Sequence, residues 1–120
     1  MKISIKATNT RLSETIDDYI RKRLLSIEKL IDASDTSARA DIEVELTTRH
    51  HKSGSIFRAE MNLHIAGHDF RAEATAEKLF DAVDEVKTEM VKELRRHKDK
   101  KMEQERRGGA KLKDMMHEEG

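Results

Sequence analysis

Apolar and polar residues alternate from Lys2 to Ala7, with Ile3, Ile5 and Ala7 on one side and Lys2, Ser4 and Lys6 on the other. That period of two predicts a half-buried strand. After a polar connection, Ser13 is placed to cap a helix, since its hydroxyl can accept an orphan backbone N–H. Glu14, Asp17 and Asp18 suit the positive end of that helix. Ile16, Ile20, Leu24, Ile27 and Ile31 then recur at helical spacing, with Tyr19 and Leu30 beside them. The spacing predicts a helix over residues 14–31, followed by a Ser/Thr/Asp-rich loop over 32–38.

Three alternating runs follow. Ile42, Val44 and Leu46 share one face of a strand over 41–47. Phe57, Ala59, Met61, Leu63 and Ile65 share one face of the next. Ala66-Gly67 reads as a two-residue hairpin turn that pairs Ile65 with His68 and Leu63 with Phe70. Apolar residues of both strands then lie on the same side, so the turn and the pattern agree on register. The opposite face carries Glu43, Glu45, Arg58, Glu60, His64, Arg71 and Glu73 and is expected to be wet.

Thr75 is a candidate cap for a last helix whose buried stripe is Leu79, Val83, Val86, Met90 and Leu94, with Phe80 at its edge. His97 and Lys101 come next on that stripe at 100° per residue. The helix is therefore expected to leave the body after Leu94. Gly108-Gly109 is expected to end it, with 108–120 a flexible tail behind a domain spanning 1–107. The order β-α-β-β-β-α predicts an α+β fold: a four-stranded mixed sheet, two helices on one face, the other face open. The first two strands, joined through a helix, are expected to be parallel.

Net charge changes the picture only when it is divided. The 120 residues carry 24 Lys/Arg and 24 Asp/Glu. Residues 1–86 hold 13 cations against 16 anions, residues 87–113 hold 11 against 5, and the last seven residues hold none against 3. A neutral total hides a basic arm, which points to an electrostatic partner. Without Cys there is no disulfide framework or thiolate metal site. No run is long and apolar enough for a secretory signal or a membrane span, so a cytoplasmic protein is expected.

On the last helix Lys92, Arg95, Arg96 and Lys100 fall in one sector of about 140°, away from the buried stripe, and Lys98 and Lys101 border it. Such a face can neutralise the phosphates of an RNA. Glu85, Glu89, Glu93 and Asp99 could equally turn it into a solvated helix laced with ion pairs; charge alone leaves both readings standing. Arg21–Arg23 forms a smaller basic patch on the first helix, and Arg49 and Lys52 lie in a polar loop. His64 and His68 are separated by a turn, and His50-His51 lack carboxylates at a ligand spacing, so no metal or other cofactor is expected. No phosphate-binding loop, dinucleotide fingerprint or nucleophile elbow is present, and no enzymatic role or small-molecule substrate is expected. Tyr19, Phe57, Phe70 and Phe80 all read as core, leaving no aromatic platform for single-stranded bases.

The order of four segments adds a resemblance. They are KISIKATN at the start, LSETIDDYIRKRLLSIEKLI, EATAEKLFDAVDEV, and LRRHKDKK near the end of the last helix. Up to about residue 105 the chain resembles the ribosome hibernation promoting factor family, which includes ribosome-associated inhibitor A. The resemblance implies a fold akin to double-stranded RNA-binding domains. It implies binding to the small ribosomal subunit and its rRNA, in the mRNA and tRNA channel between head and platform, which stops translation and preserves idle ribosomes. It assigns rRNA contact to Lys92, Arg95, Arg96, Lys98 and Lys101, with Lys22 and Arg23 on the first helix; Lys100 lies in the same basic sector. Glu89 stands where many members carry Lys, and Phe80-Asp81 stands where Tyr and Ala are usual. The chain looks like a short form without a C-terminal dimerisation domain, monomeric when free. Two other functions fit the pattern: a general double-stranded RNA-binding module, and a protein-interaction module using the acidic residues of the open sheet face.

Overall fold

The computed structural model describes residues 1–47, 54 and 56–118, with side chains described as far as Gly109. Arg49, His50, His51 and Lys52 lie outside the described residues. The chain runs β1 (Lys2–Thr8), α1 (Glu14–Glu28), β2 (Arg39–Thr47), β3 (Ile56–Ile65), β4 (His68–Ala76) and α2 (Leu79–Glu118). The strands lie in the order β1-β2-β3-β4. β1 pairs parallel to β2, and the remaining pairs are antiparallel.

The hairpin register is the expected one, with Ile65 opposite His68 and Leu63 opposite Phe70. Ala66 and Gly67 both take positive φ, 47° and 78°, the twist that a two-residue hairpin requires. Ser13 caps α1, its hydroxyl accepting from the Ile16 N–H at 3.2 Å.

Three boundaries differ from expectation. α1 stops at Glu28, because the next N–H groups turn tighter: Leu30 donates to Ile27 and Ile31 to Glu28, at 2.9 and 3.1 Å. β2 begins two residues earlier than expected, at Arg39, held by the parallel pairing of Lys2 with Arg39. Thr75 does not cap α2; it lies within β4, opposite Arg58.

The core is a single cluster between the helices and one sheet face. Ile20, Leu24 and Ile27 of α1 and Leu79, Ala82, Val83, Val86, Met90 and Leu94 of α2 pack with Ile42, Val44, Met61 and Leu63 of the sheet. Tyr19 closes the seam between the helices. Its ring meets the edge of Phe80 at 4.5 Å, and its hydroxyl donates to Asp84 of α2 at 2.7 Å. Burial and the Asp84 carboxylate both raise the Tyr19 pKa.

The open sheet face is an ion-pair lattice. Glu43 lies opposite Glu60, and Glu60 opposite Glu73, a row of like charges that would repel. Arg58 resolves the repulsion: Nε meets Glu73 at 2.6 Å, Nη1 lies 3.4 Å from Glu45 and 3.6 Å from Glu43, and Nη2 pairs with Glu60. Arg71 adds contacts of 3.3 and 3.2 Å to Glu60 and Glu73. Glu60 is held below its ordinary 4.5 by the Asn62 amide and by Arg58, and Glu73 by Arg58.

Carboxylates depressed in the folded state stabilise it above their unfolded pKa, and that stability is lost as pH falls through the folded value. Stability is therefore expected to decline on the acid side of about pH 4.5. Arg58→Met leaves the row unscreened while it is ionised. Urea midpoints of the two proteins should differ most near neutrality and converge as pH falls through the depressed folded pKa values of Glu60 and Glu73. An equal gap at neutral and acid pH would show that Arg58 acts by packing alone.

Candidate nucleic-acid interface

α2 is 40 residues long, far longer than the sheet it packs on; at about 1.5 Å per residue it spans roughly 60 Å. The molecule accordingly measures 72 × 31 × 18 Å. The helix departs from expectation at two places. It does not end at Gly108-Gly109 but continues to Glu118. It also keeps to the body one turn beyond Leu94, because His97 is not yet free. The His97 ring stands 5.2 Å from that of Phe70, edge to face, and 4.5 Å from that of His68 at the hairpin turn. An imidazole can bury its apolar faces while its nitrogens stay wet, so the position that ends the aliphatic stripe still packs.

The cations around this point divide into two sets. Lys92 pairs with Glu89 at 3.4 Å and Arg96 with Glu93 at 2.9 Å, both one turn apart on the exposed surface. Arg95, Lys98, Lys100 and Lys101 are exposed and make no ion pair among the described residues. The second set surrounds the turn where α2 leaves the body, with no described carboxylate within ion-pair distance.

On α1, Arg21 is taken up by Asp17 at 2.7 Å. Arg23 is committed to the seam between the helices: Nε donates to Asp84 at 2.8 Å, Nη2 to the Tyr19 hydroxyl at 3.0 Å, and the guanidinium lies 4.4 Å from the Tyr19 ring centre. Those partners raise its pKa, the Tyr19 hydrogen bond most. Lys22 is exposed and makes no ion pair among the described residues. The basic patch read from the sequence thus contains one residue that braces the fold, one paired locally, and one open cation.

Asp84, His68 and His97 carry weight that their spacing did not announce. The signal for Asp84 lay in Tyr19, since a phenol in a helix seam needs a polar partner. The open sheet face is also less acidic than its composition implied, because Arg58 and Arg71 hold Glu43, Glu45, Glu60 and Glu73 among them. Among the described residues no group of His, Asp and Glu is placed to hold a metal ion, and no helix is long and apolar enough to cross a membrane.

A sheet backed by two helices, one of them carrying exposed cations past the edge of the body, defines a small α+β domain with a cationic arm. The chain belongs to the family described as sigma 54 modulation protein / S30EA ribosomal protein, which matches residues 3–102. It is similar to the ribosome hibernation promotion factor of Picosynechococcus sp. (26% identical over 104 residues, 83% of this chain), although it spans only about half, 50%, of that relative's length. It is also similar to the ribosome hibernation promoting factor of Klebsiella oxytoca, 23% identical over 83% of this chain and 96% of the relative. The fold matches a ribosomal subunit interface protein from Coxiella burnetii with a TM-score of 0.66 at 15% identity, covering 82% of this chain and 99% of that one. It matches the N-terminal domain of Protein Y from Thermus thermophilus with a TM-score of 0.63 at 21% identity, covering 81% and 99%.

Proposed function

We propose that this protein is a non-enzymatic ribosome hibernation factor that binds small-subunit rRNA in the mRNA and tRNA channel between head and platform. The observation that carries the reading is the set of cations that make no ion pair among the described residues, Arg95, Lys98, Lys100 and Lys101, gathered where α2 leaves the body. Family membership and the names of the two hibernation factors it resembles supply the ribosomal context. The mechanism is competition: the arm neutralises rRNA phosphates and releases their counterions, and the body excludes mRNA and tRNA.

Lys92 and Arg96 join by exchanging a glutamate for a phosphate, so they contribute less than those four. Lys22 is the principal contact on α1, and Arg23 acts mainly by holding the helices together. Residues 1–107 form the ribosome-binding unit, monomeric when free and acting in the cytoplasm, and residues 108–118 continue α2 behind it.

The test is co-sedimentation with purified small subunits across a salt series. Binding is expected at low salt, with the logarithm of affinity falling linearly as the logarithm of salt rises, by about 0.7–0.9 per phosphate contacted. Bound mRNA and initiator tRNA should be displaced. Equal affinity for a plain RNA duplex would replace the ribosome-specific reading with a general duplex-binding one, and a salt-independent association would remove the electrostatic mechanism.

A further inference from the structure

Beneath the departing turn of α2 lies a cleft of about 210 Å³, open on one side, between the end of α1, the β3-β4 hairpin and α2. Its floor is apolar: Ile31, Ile65, Phe70 and Leu94 all pack against the core and still line it. Three rings form one wall, His97 edge to face with Phe70 and tilted against His68. Lys98 and Lys101 stand at the rim, and neither makes an ion pair among the described residues. Asp32 completes the lining as its one carboxylate. One of its oxygens accepts from the backbone N–H and hydroxyl of Ser34, at 2.9 and 2.8 Å. These bonds hold the carboxyl below its ordinary range, so it is an acceptor at neutral pH.

Apolar floor, ring wall, paired cations and a single acceptor together specify an occupant. A purely apolar peptide would leave two lysines idle beside it, and a bare phosphate would leave the floor idle. The volume is below the roughly 300–1,000 Å³ of sites for drug-sized ligands, which suits one ring system. We propose that this cleft receives a single unstacked nucleotide of the bound RNA strand. Its base lies on Ile31, Ile65 and the His97 ring, and its flanking phosphates sit on Lys98 and Lys101. Asp32 faces a base amino group, which favours adenine, cytosine or guanine over uracil. The inference rests on the RNA-binding reading for the identity of the strand. It adds a contact to bases, which phosphate neutralisation by the arm does not require.

The test uses the full chain and the isoleucine methyl resonances of Ile31 and Ile65. The probes are an adenylate trinucleotide, the same trinucleotide with abasic sugars, and free adenosine 5′-monophosphate. The adenylate trinucleotide is expected to shift both methyls and to bind about tenfold more tightly than the abasic strand, since stacking one base on an aromatic face is worth about that much or more. The abasic strand should disturb only the amides around Lys98 and Lys101. Equal affinity of the two strands with silent methyls overturns the inference, and so does binding of the free monophosphate as tight as that of the trinucleotide.

His97→Phe should keep the preference for bases and His97→Ala should lose it. A thermal melt of both variants separates loss of the wall from loss of the fold. Small-subunit sedimentation keeps the two proposals apart. If the wild type sediments but the methyls stay silent, only the cleft falls. If the methyls respond without sedimentation, the ribosome reading falls and the cleft stands.

Discussion

Replacing Arg95, Lys98 and Lys101 together by glutamate is expected to abolish co-sedimentation with the small ribosomal subunit. All three side chains are exposed and none makes an ion pair among the described residues, so their removal breaks no ion pair within the fold. New like-charge neighbours along α2, such as position 95 with Asp99 and position 101 with Glu105, cost only a few tenths of a kcal/mol each. The circular dichroism spectrum should therefore be unchanged. Each lost phosphate contact lowers the salt slope by about 0.7–0.9, so the slope should fall by about two to three, and any residual affinity should be at least about a hundredfold weaker.

The necessary control makes the same change in net charge elsewhere. Lys2, Lys6 and Arg39 belong to β1 and β2 at the far side of the sheet from β4, where Lys6 pairs with Glu43 and Arg39 with Asp41. Their triple reversal should retain most of the binding. If both triple variants lose binding equally, net charge rather than the arm drives association. If the arm variant still binds at moderate salt, the arm is not the interface.

Met90→Ala is expected to produce the largest loss of stability among conservative truncations on α2. Met90 is 0% exposed and sits in the one core cluster, between Val86 and Leu94 on the helix stripe. Truncating a buried Met to Ala typically costs about 2–5 kcal/mol, from lost burial plus the cavity left behind. A domain of this size has only about 5–15 kcal/mol in total, so with mid-range values of both the urea midpoint should drop by about a third. A loss below about 1 kcal/mol would mean that the helix settles into the vacancy. Because the arm is the continuation of this helix, the variant also links core to interface: the fraction that remains folded should keep the wild-type salt slope.

Some parts of the protein were legible along the chain because they depend on local periodicity. The hairpin from Ile56 to Ala76 is the clearest case, since Ala66-Gly67 and the alternating Phe57–Ile65 run independently demanded one register. Ser13 was legible because a cap needs only its own helix. The boundary of α1 was not, because the tight turns at Leu30 and Ile31 leave no mark in an apolar stripe that runs on to Ile31. The end of α2 is not legible for a different reason. A glycine pair costs a helix about 1 kcal/mol per residue, which makes a stop plausible without compelling one, and α2 runs through to Glu118.

The candidate site divides in the same way. That cations crowd the stretch from Lys92 to Lys101 is a property of sequence and helical pitch, and no tertiary contact is needed to see it. Which of them are open is not. Lys92 and Arg96 carry the same charge as Lys98 and Lys101, yet the first two face Glu89 and Glu93 one turn back and the others face the cleft. Arg23 is indistinguishable from Lys22 in a list of basic residues, and only the approach of α2 brings Asp84 to it. The role of His97 depended on Phe70 and His68, 27 and 29 positions away, arriving beneath it. Periodicity and charge are one-dimensional and determined the elements, the buried faces and the basic arm. Pairing between distant side chains has no period, so the bracing of α1 on α2, the lattice around Arg58 and the cleft under α2 were decided only when the chain folded.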